Sequence, residues 1–175
     1  AALEEGTMDV GVIENQRGRF PVVSNLFSIW MRRNPDAAFA WYGQLKSETM
    51  QRSLAAALAT HWPKERIDEG LEYLIKNREL FETHGQLWTG ISWWSLVSTS
   101  VEASAEKGPE DLVGLLELLE ENNLHRRISP NTKFPENFDF KKLAALLEAG
   151  PFGNYGPEFY APAWVSRRPD EAFQQ

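Results

Sequence analysis

The chain has 175 residues, 42% of them hydrophobic and 25% charged, with a formal net charge of −7 and no cysteine. That length buries a core of ordinary size, and the composition is that of a globular protein and not of a disordered one. The acidic balance makes nucleic acid an unfavourable partner, no run approaches the roughly 20 apolar residues that span a bilayer, and disulfides, thiolate catalysis and cysteine-bound metals are excluded.

No signal peptide is legible, and the chain begins at Ala1. A bacterial cytoplasmic protein, a form processed on export and a piece of a longer chain all fit. Residues 1–20 carry no apolar period, and Glu4-Glu5-Gly6 and Gln16-Arg17-Gly18-Arg19 predict an irregular leader. Residues 21–175 are expected to form a single helical domain. Val22, Leu26, Ile29 and Trp30 fall at helical spacing and predict a first stripe. Asn34-Pro35-Asp36 then restarts the chain: Asn caps, Pro suits the first helical position, and Asp complements the dipole. The residue before proline leaves the α region, so a break belongs here.

A short second helix runs from Pro35 to about Leu45. Ser47 opens a third, apolar at Met50, Leu54, Ala57, Leu58 and Trp62. Pro63 opens a fourth, with Ile67, Leu71, Leu74 and Ile75. A helix from about Gly90 to Glu106 follows, then one from Pro109 with Leu112, Leu115, Leu116 and Leu119. Two stretches read as loop insertions, 122–138 and the Gly- and Pro-rich 150–162. Between them Asp139–Ala149 reads as a compact helix with Leu143, Leu146 and Leu147. Nothing alternates long enough to build a sheet, so the expected class is all-α.

One phrase occurs twice. Trp30-Met31-Arg32-Arg33-Asn34-Pro35-Asp36-Ala37-Ala38-Phe39 and Trp164-Val165-Ser166-Arg167-Arg168-Pro169-Asp170-Glu171-Ala172-Phe173 agree in register at Trp, Arg, Pro, Asp and the Ala-Phe pair. Proline followed by an acid also opens helices at Pro63 and Pro109, at unequal intervals. Such repetition predicts an α-α superhelix of degenerate helical hairpins, eight or nine helices long. The unit around Trp30 resembles the degenerate α-helical repeat proteins of Verrucomicrobia and Planctomycetes, which look broadly like tetratricopeptide-type solenoids. The resemblance covers residues 22–62 well, 161–175 in part and the middle poorly, where His61-Trp62-Pro63-Lys64 loses the Pro-Asp step. It implies a fold and carries no catalytic residue.

No motif for catalysis, phosphate cradling or metal binding appears. His61, His84 and His125 are far apart and outside any metal-ligand spacing, there is no P-loop or dinucleotide fingerprint, and Gly90-Ile91-Ser92-Trp93-Trp94 lacks the second glycine of a nucleophile elbow. No cofactor and no metal are expected. Three stretches are candidate contact surfaces. Trp93 and Trp94, with Trp88, are the densest aromatic patch; they diverge by roughly 100° on a helix, so one belongs to the core. Asn154, Tyr155 and Tyr160 sit in a loop that rigid helices would display. From Glu102 to Glu121 seven acids face one Lys107, which includes Glu117, Glu120 and Glu121. Arg126-Arg127 follows as a basic turn. Each also has a structural reading, as core, loop cover or solvated face.

The expected function is a non-enzymatic helical-repeat scaffold that binds another protein or serves as a subunit of a larger assembly. The alternative is a carbohydrate-binding or carbohydrate-active helical protein that stacks sugars on its aromatic rings, with Tyr155, His84 and a carboxylate converging. A third reading is an electrostatic regulator whose acidic helix occupies a basic site on its partner.

Overall fold

The computed structural model describes residues 20–81, 93–124, 132–150, 152, 155 and 159–173. Those residues are helical, with no strand among them: α1 (Phe20–Arg33), α2 (Pro35–Tyr42), α3 (Glu48–Thr60), a 3₁₀ turn (Lys64–Arg66), α4 (Ile67–Lys76), α5 (Arg78–Phe81), α6 (Trp94–Lys107), α7 (Pro109–Glu121), α8 (Phe140–Ala149), α9 (Ala161–Arg167) and α10 (Pro169–Ala172). The chain divides into two compact units, 1–96 and 97–175, with the boundary inside α6. The leader 1–19 lies outside the described residues.

In the first unit α2 and α3 start where their capping chemistry sits. The Asn34 side chain accepts from the Ala37 amide with Pro35 in the first turn of α2, and Ser47 accepts from the Met50 amide at the start of α3. Phe27 on α1 meets Trp41 and Tyr42 of α2 at ring-centroid distances of 5.7 and 5.8 Å, and Trp30 meets Trp41 at 5.8 Å. Met31, Leu54, Leu58 and Leu74 complete this core. Each such side chain contributes about 1.5–3 kcal/mol by leaving water.

The buried stripe of α1 differs from the predicted one. Val23, Phe27, Trp30 and Met31 point inward, while Val22 is 56% exposed and Leu26 and Ile29 are half-buried. The helix is apolar around much of its circumference, so periodicity admits two faces. Phe27 decides between them, because α2 supplies aromatic partners for its ring.

In the second unit α6 ends at Lys107 and α7 begins at Pro109, with Gly108 alone between them at φ +136°. That backbone conformation is open to glycine and strained for other residues. The corner sends α7 off in a new direction with Leu112, Leu116 and Leu119 buried, and α7 packs on α8.

The described parts of the two expected insertions add aromatic side chains to this unit's core. Phe134 and Phe138 are buried, with ring centroids 4.9 Å apart, and both meet Phe140 at 5.1 Å. Phe134 also meets Phe159 at 5.8 Å, and Phe140 stacks on Trp164 at 6.1 Å. The Arg167 guanidinium donates to the carbonyls of Pro135 and Phe134 and ties this stretch down. Ala161 and Pro162, at the end of the second insertion, open α9.

The twice-spoken phrase adopts the same local geometry both times. A helix ends in the Trp-bearing turn, one residue breaks it, and Pro restarts it. The break residues are Asn34 at φ −149°, ψ 79° and Arg168 at φ −140°, ψ 65°. In both copies the break amide donates to the Trp carbonyl at 2.8 Å, and the break carbonyl accepts from the Ala amide four residues on at 3.1 Å. Trp30 and Trp164 are both buried.

Candidate functional site

The acidic helix α7 carries the clearest exposed face. Its inner side is fixed by Leu112, Leu116 and Leu119. At 100° per residue, Asp111, Gly114, Glu117, Leu118 and Glu121 then share an outer arc of roughly 120°, and all five are exposed. Leu118 is 38% exposed and is the one large apolar side chain on this arc, beside Gly114 and Asp111. Asp111, Glu117 and Glu121 have no cation within ion-pair distance among the described residues, whereas the neighbouring Glu110 is held by Lys142. That ion pair and its hydrogen bond hold the Glu110 carboxyl below its usual range and raise Lys142.

Gly114 lies in the middle of this face. A Cβ built there would meet nothing within 4 Å. Glycine in a helix interior costs about 0.5–1 kcal/mol relative to alanine, and among the described residues no contact uses the room it leaves. By contrast, Gly70 on α4 has a packing reason: a Cβ there would come within 2.8 Å of the Trp62 ring and 2.9 Å of Leu96.

The other predicted contact residues are placed as follows. Trp93 is buried and Trp94 is 40% exposed at the start of α6. Tyr155 is buried, and its hydroxyl donates to the Leu116 carbonyl at 3.1 Å. Burial, with Glu120 nearby, pushes the Tyr155 phenol well above its ordinary pKa. Tyr160 is buried with its ring 6.2 Å from Trp164. Glu117 and Glu121 are exposed and Glu120 is half-buried. Arg126, Arg127 and Asn154 lie outside the described residues, as do Trp88, His84 and His125. The loop tyrosines are therefore spent on packing. Tyr155 braces the acidic helix from behind, and the described residues gather Glu117 and Glu121 with Asp111 and Leu118.

The first unit holds an aromatic cleft that residue patterns did not single out. Phe39, Tyr42, Leu58, Trp62, Arg66 and Tyr73 line about 250 Å³. Phe39 and Trp62 are 4.6 Å apart, Trp62 and Tyr73 5.7 Å, and the Arg66 guanidinium lies 5.4 Å over the Phe39 ring. Its polar groups are engaged already: the Trp62 indole donates to the Arg66 carbonyl, Tyr42 donates to the Gln51 carbonyl, and Arg66 pairs with both Asp36 and Glu69 at 2.7 Å.

The described residues hold no group of three His, Asp or Glu side chains placed to share a metal ion. None of the described helices is long and apolar enough to cross a membrane. In comparisons with known proteins, no family model, no curated protein and no solved structure matches the chain.

Proposed function

We propose that the chain is a non-enzymatic helical scaffold, built from degenerate helix–break–helix units in a superhelical array, that binds a partner protein through the outer face of α7. The observation that carries this reading is the combination on one arc of an interior glycine with open space around it, an exposed leucine and three acids that have no cation within ion-pair distance among the described residues. Packed helices approach to about 8–10 Å, and the side chains at the contact set the distance. Gly114 leaves room for close approach, Leu118 gives an apolar anchor beside it, and Asp111, Glu117 and Glu121 form a charged rim. The complementary occupant is a basic amphipathic helix with a small or apolar stripe between lysines or arginines. Rim charges of this kind govern association rate and salt dependence more than final affinity. The matching corners at Asn34 and Arg168 support the repeated unit.

The test is affinity capture from a native extract with three chains side by side: the wild type, Leu118→Asp, and Glu117→Gln with Glu121→Gln. A stoichiometric partner should be retained by the wild type and lost with Leu118→Asp. The double Gln variant should retain less of it, and binding should fall as ionic strength rises, because screening at 0.15 M already acts beyond about 8 Å. Equal retention by all three would remove α7 as the contact surface.

A further inference from the structure

The two copies of the repeated phrase differ in what covers them. In the first, Asp36 and Phe39 project from α2 and are both engaged. The Phe39 ring packs on Trp62 at 4.6 Å, the Arg66 guanidinium lies over the same ring at 5.4 Å, and Arg66 pairs with Asp36 at 2.7 Å. Trp62 and Arg66 are four residues apart, and the Trp62 indole donates to the Arg66 carbonyl, so they form one prebuilt turn. In the second copy Asp170 and Phe173 occupy the same register positions on and after α10. Phe173 is 79% exposed, and among the described residues it has no ring contact and Asp170 has no cation. The preceding corner has dihedrals close to those of the first and the same two backbone hydrogen bonds.

We propose that Asp170 and Phe173 form a second docking site, whose occupant is a partner segment carrying an aromatic side chain and, four residues later, an arginine. The chemistry is read from the covered copy. The aromatic ring packs against Phe173, while the guanidinium lies over the same ring and pairs with the Asp170 carboxylate. Arginine serves here and lysine does not, because a planar guanidinium can stack on the ring and bind the carboxylate together. This site is separate from the α7 face and does not depend on it.

The probe is a synthetic peptide of residues 61–76, His61 to Lys76, which contains the Trp62–Arg66 turn. It is titrated to millimolar concentration into the isotope-labelled full chain, followed by amide NMR. Saturable shifts are expected at residues 169–173. Phe173→Ala should weaken binding by about tenfold or more. Asp170→Asn, or an Arg66→Ala change within the peptide, should weaken it by roughly two- to fivefold, the range of an exposed ion pair. The absence of shifts at 169–173, shifts confined to the first copy at 36–39, or shifts that survive Phe173→Ala would overturn the proposal. Shifts at 169–173 that appear on concentrating the chain without peptide would overturn it in favour of a second copy as occupant.

Discussion

The Tyr155 hydroxyl donates a hydrogen bond to the main-chain carbonyl of Leu116, which lies 39 residues earlier in the chain and in the middle of the acidic helix. A loop residue thereby braces the helix from its buried side and leaves the opposite side to solvent. The Tyr155→Phe change keeps the ring and removes this bond. The Leu116 carbonyl lies inside the helical ladder, so it is not left wholly unpaired. The expected loss is about 1 kcal/mol in denaturant unfolding, without change in far-ultraviolet circular dichroism. A loss of several kcal/mol would mean that the hydroxyl organises more than α7.

Trp30 and Trp164 occupy equivalent, buried positions before equivalent corners. Truncating either to alanine should destabilise by about 3–5 kcal/mol, as large-to-small core changes do. Trp164 stacks on Phe140 and meets Tyr160 at a tilt, and Trp30 meets Trp41 at a tilt, so both losses come from interior rings. Thermal or urea unfolding reads the effect. Unchanged stability in either variant would show that the repeated phrase has different structural roles in its two copies.

The two helix-interior glycines should respond with opposite signs. Gly114→Ala gains helix propensity and meets nothing, so the chain should become more stable by about 0.5–1 kcal/mol. Gly70→Ala gains the same propensity but drives a methyl group into the Trp62 ring and Leu96. A rigid ring cannot yield cheaply, and overpacking of this kind costs about 1–3 kcal/mol, so net destabilisation is expected. On the proposed reading Gly114→Ala also weakens partner binding while it stabilises the free chain.

Stability should decline in two steps as pH falls. Partial burial, with Arg32 nearby, lowers the His61 pKa below its ordinary 6.5. Above 6.5 the imidazole is neutral in both folded and unfolded chains. Below it the unfolded chain takes the proton first, so stability drops until the folded pKa is passed. Glu69 and Glu110 are lowered below 4.5, chiefly by their hydrogen-bonded partners Arg66 and Lys142. Their contribution is present above 4.5 and is lost as pH falls through the folded values. His61→Gln should flatten only the first step in a series of urea midpoints. If both steps persist in that variant, another group titrates near neutrality.

The local grammar of the chain is well written in its residues. Asn34-Pro35, Ser47, Gly108-Pro109 and Asp139 mark helix starts where the structure has them, because capping and proline geometry act within a few residues. What was not legible depends on tertiary partners. The stripe of α1 turned to follow Phe27 onto Trp41 and Tyr42. The stretch containing Phe134 and Phe138 reads as loop because Pro and Asn punctuate it, although its phenylalanines fill the core of the second unit. The surface residues were legible only in part. The acidic run containing Glu117 and Glu121 was visible as charge, yet Gly114 and Leu118 gain meaning only once Leu112, Leu116 and Leu119 fix which side faces outward. Tyr155 and Tyr160 looked like display residues because loops often carry contacts, and burial assigns them to packing.

The most direct measurement places a photo-crosslinking amino acid at Glu117 on the outer arc of α7, and separately at Arg52 on α3 as a control, in the chain expressed in its native cells. The account predicts one discrete adduct from position 117, mapped by mass spectrometry to a basic helical segment of the partner, and none of that species from position 52. The same adduct from both positions, or none from position 117, would contradict it.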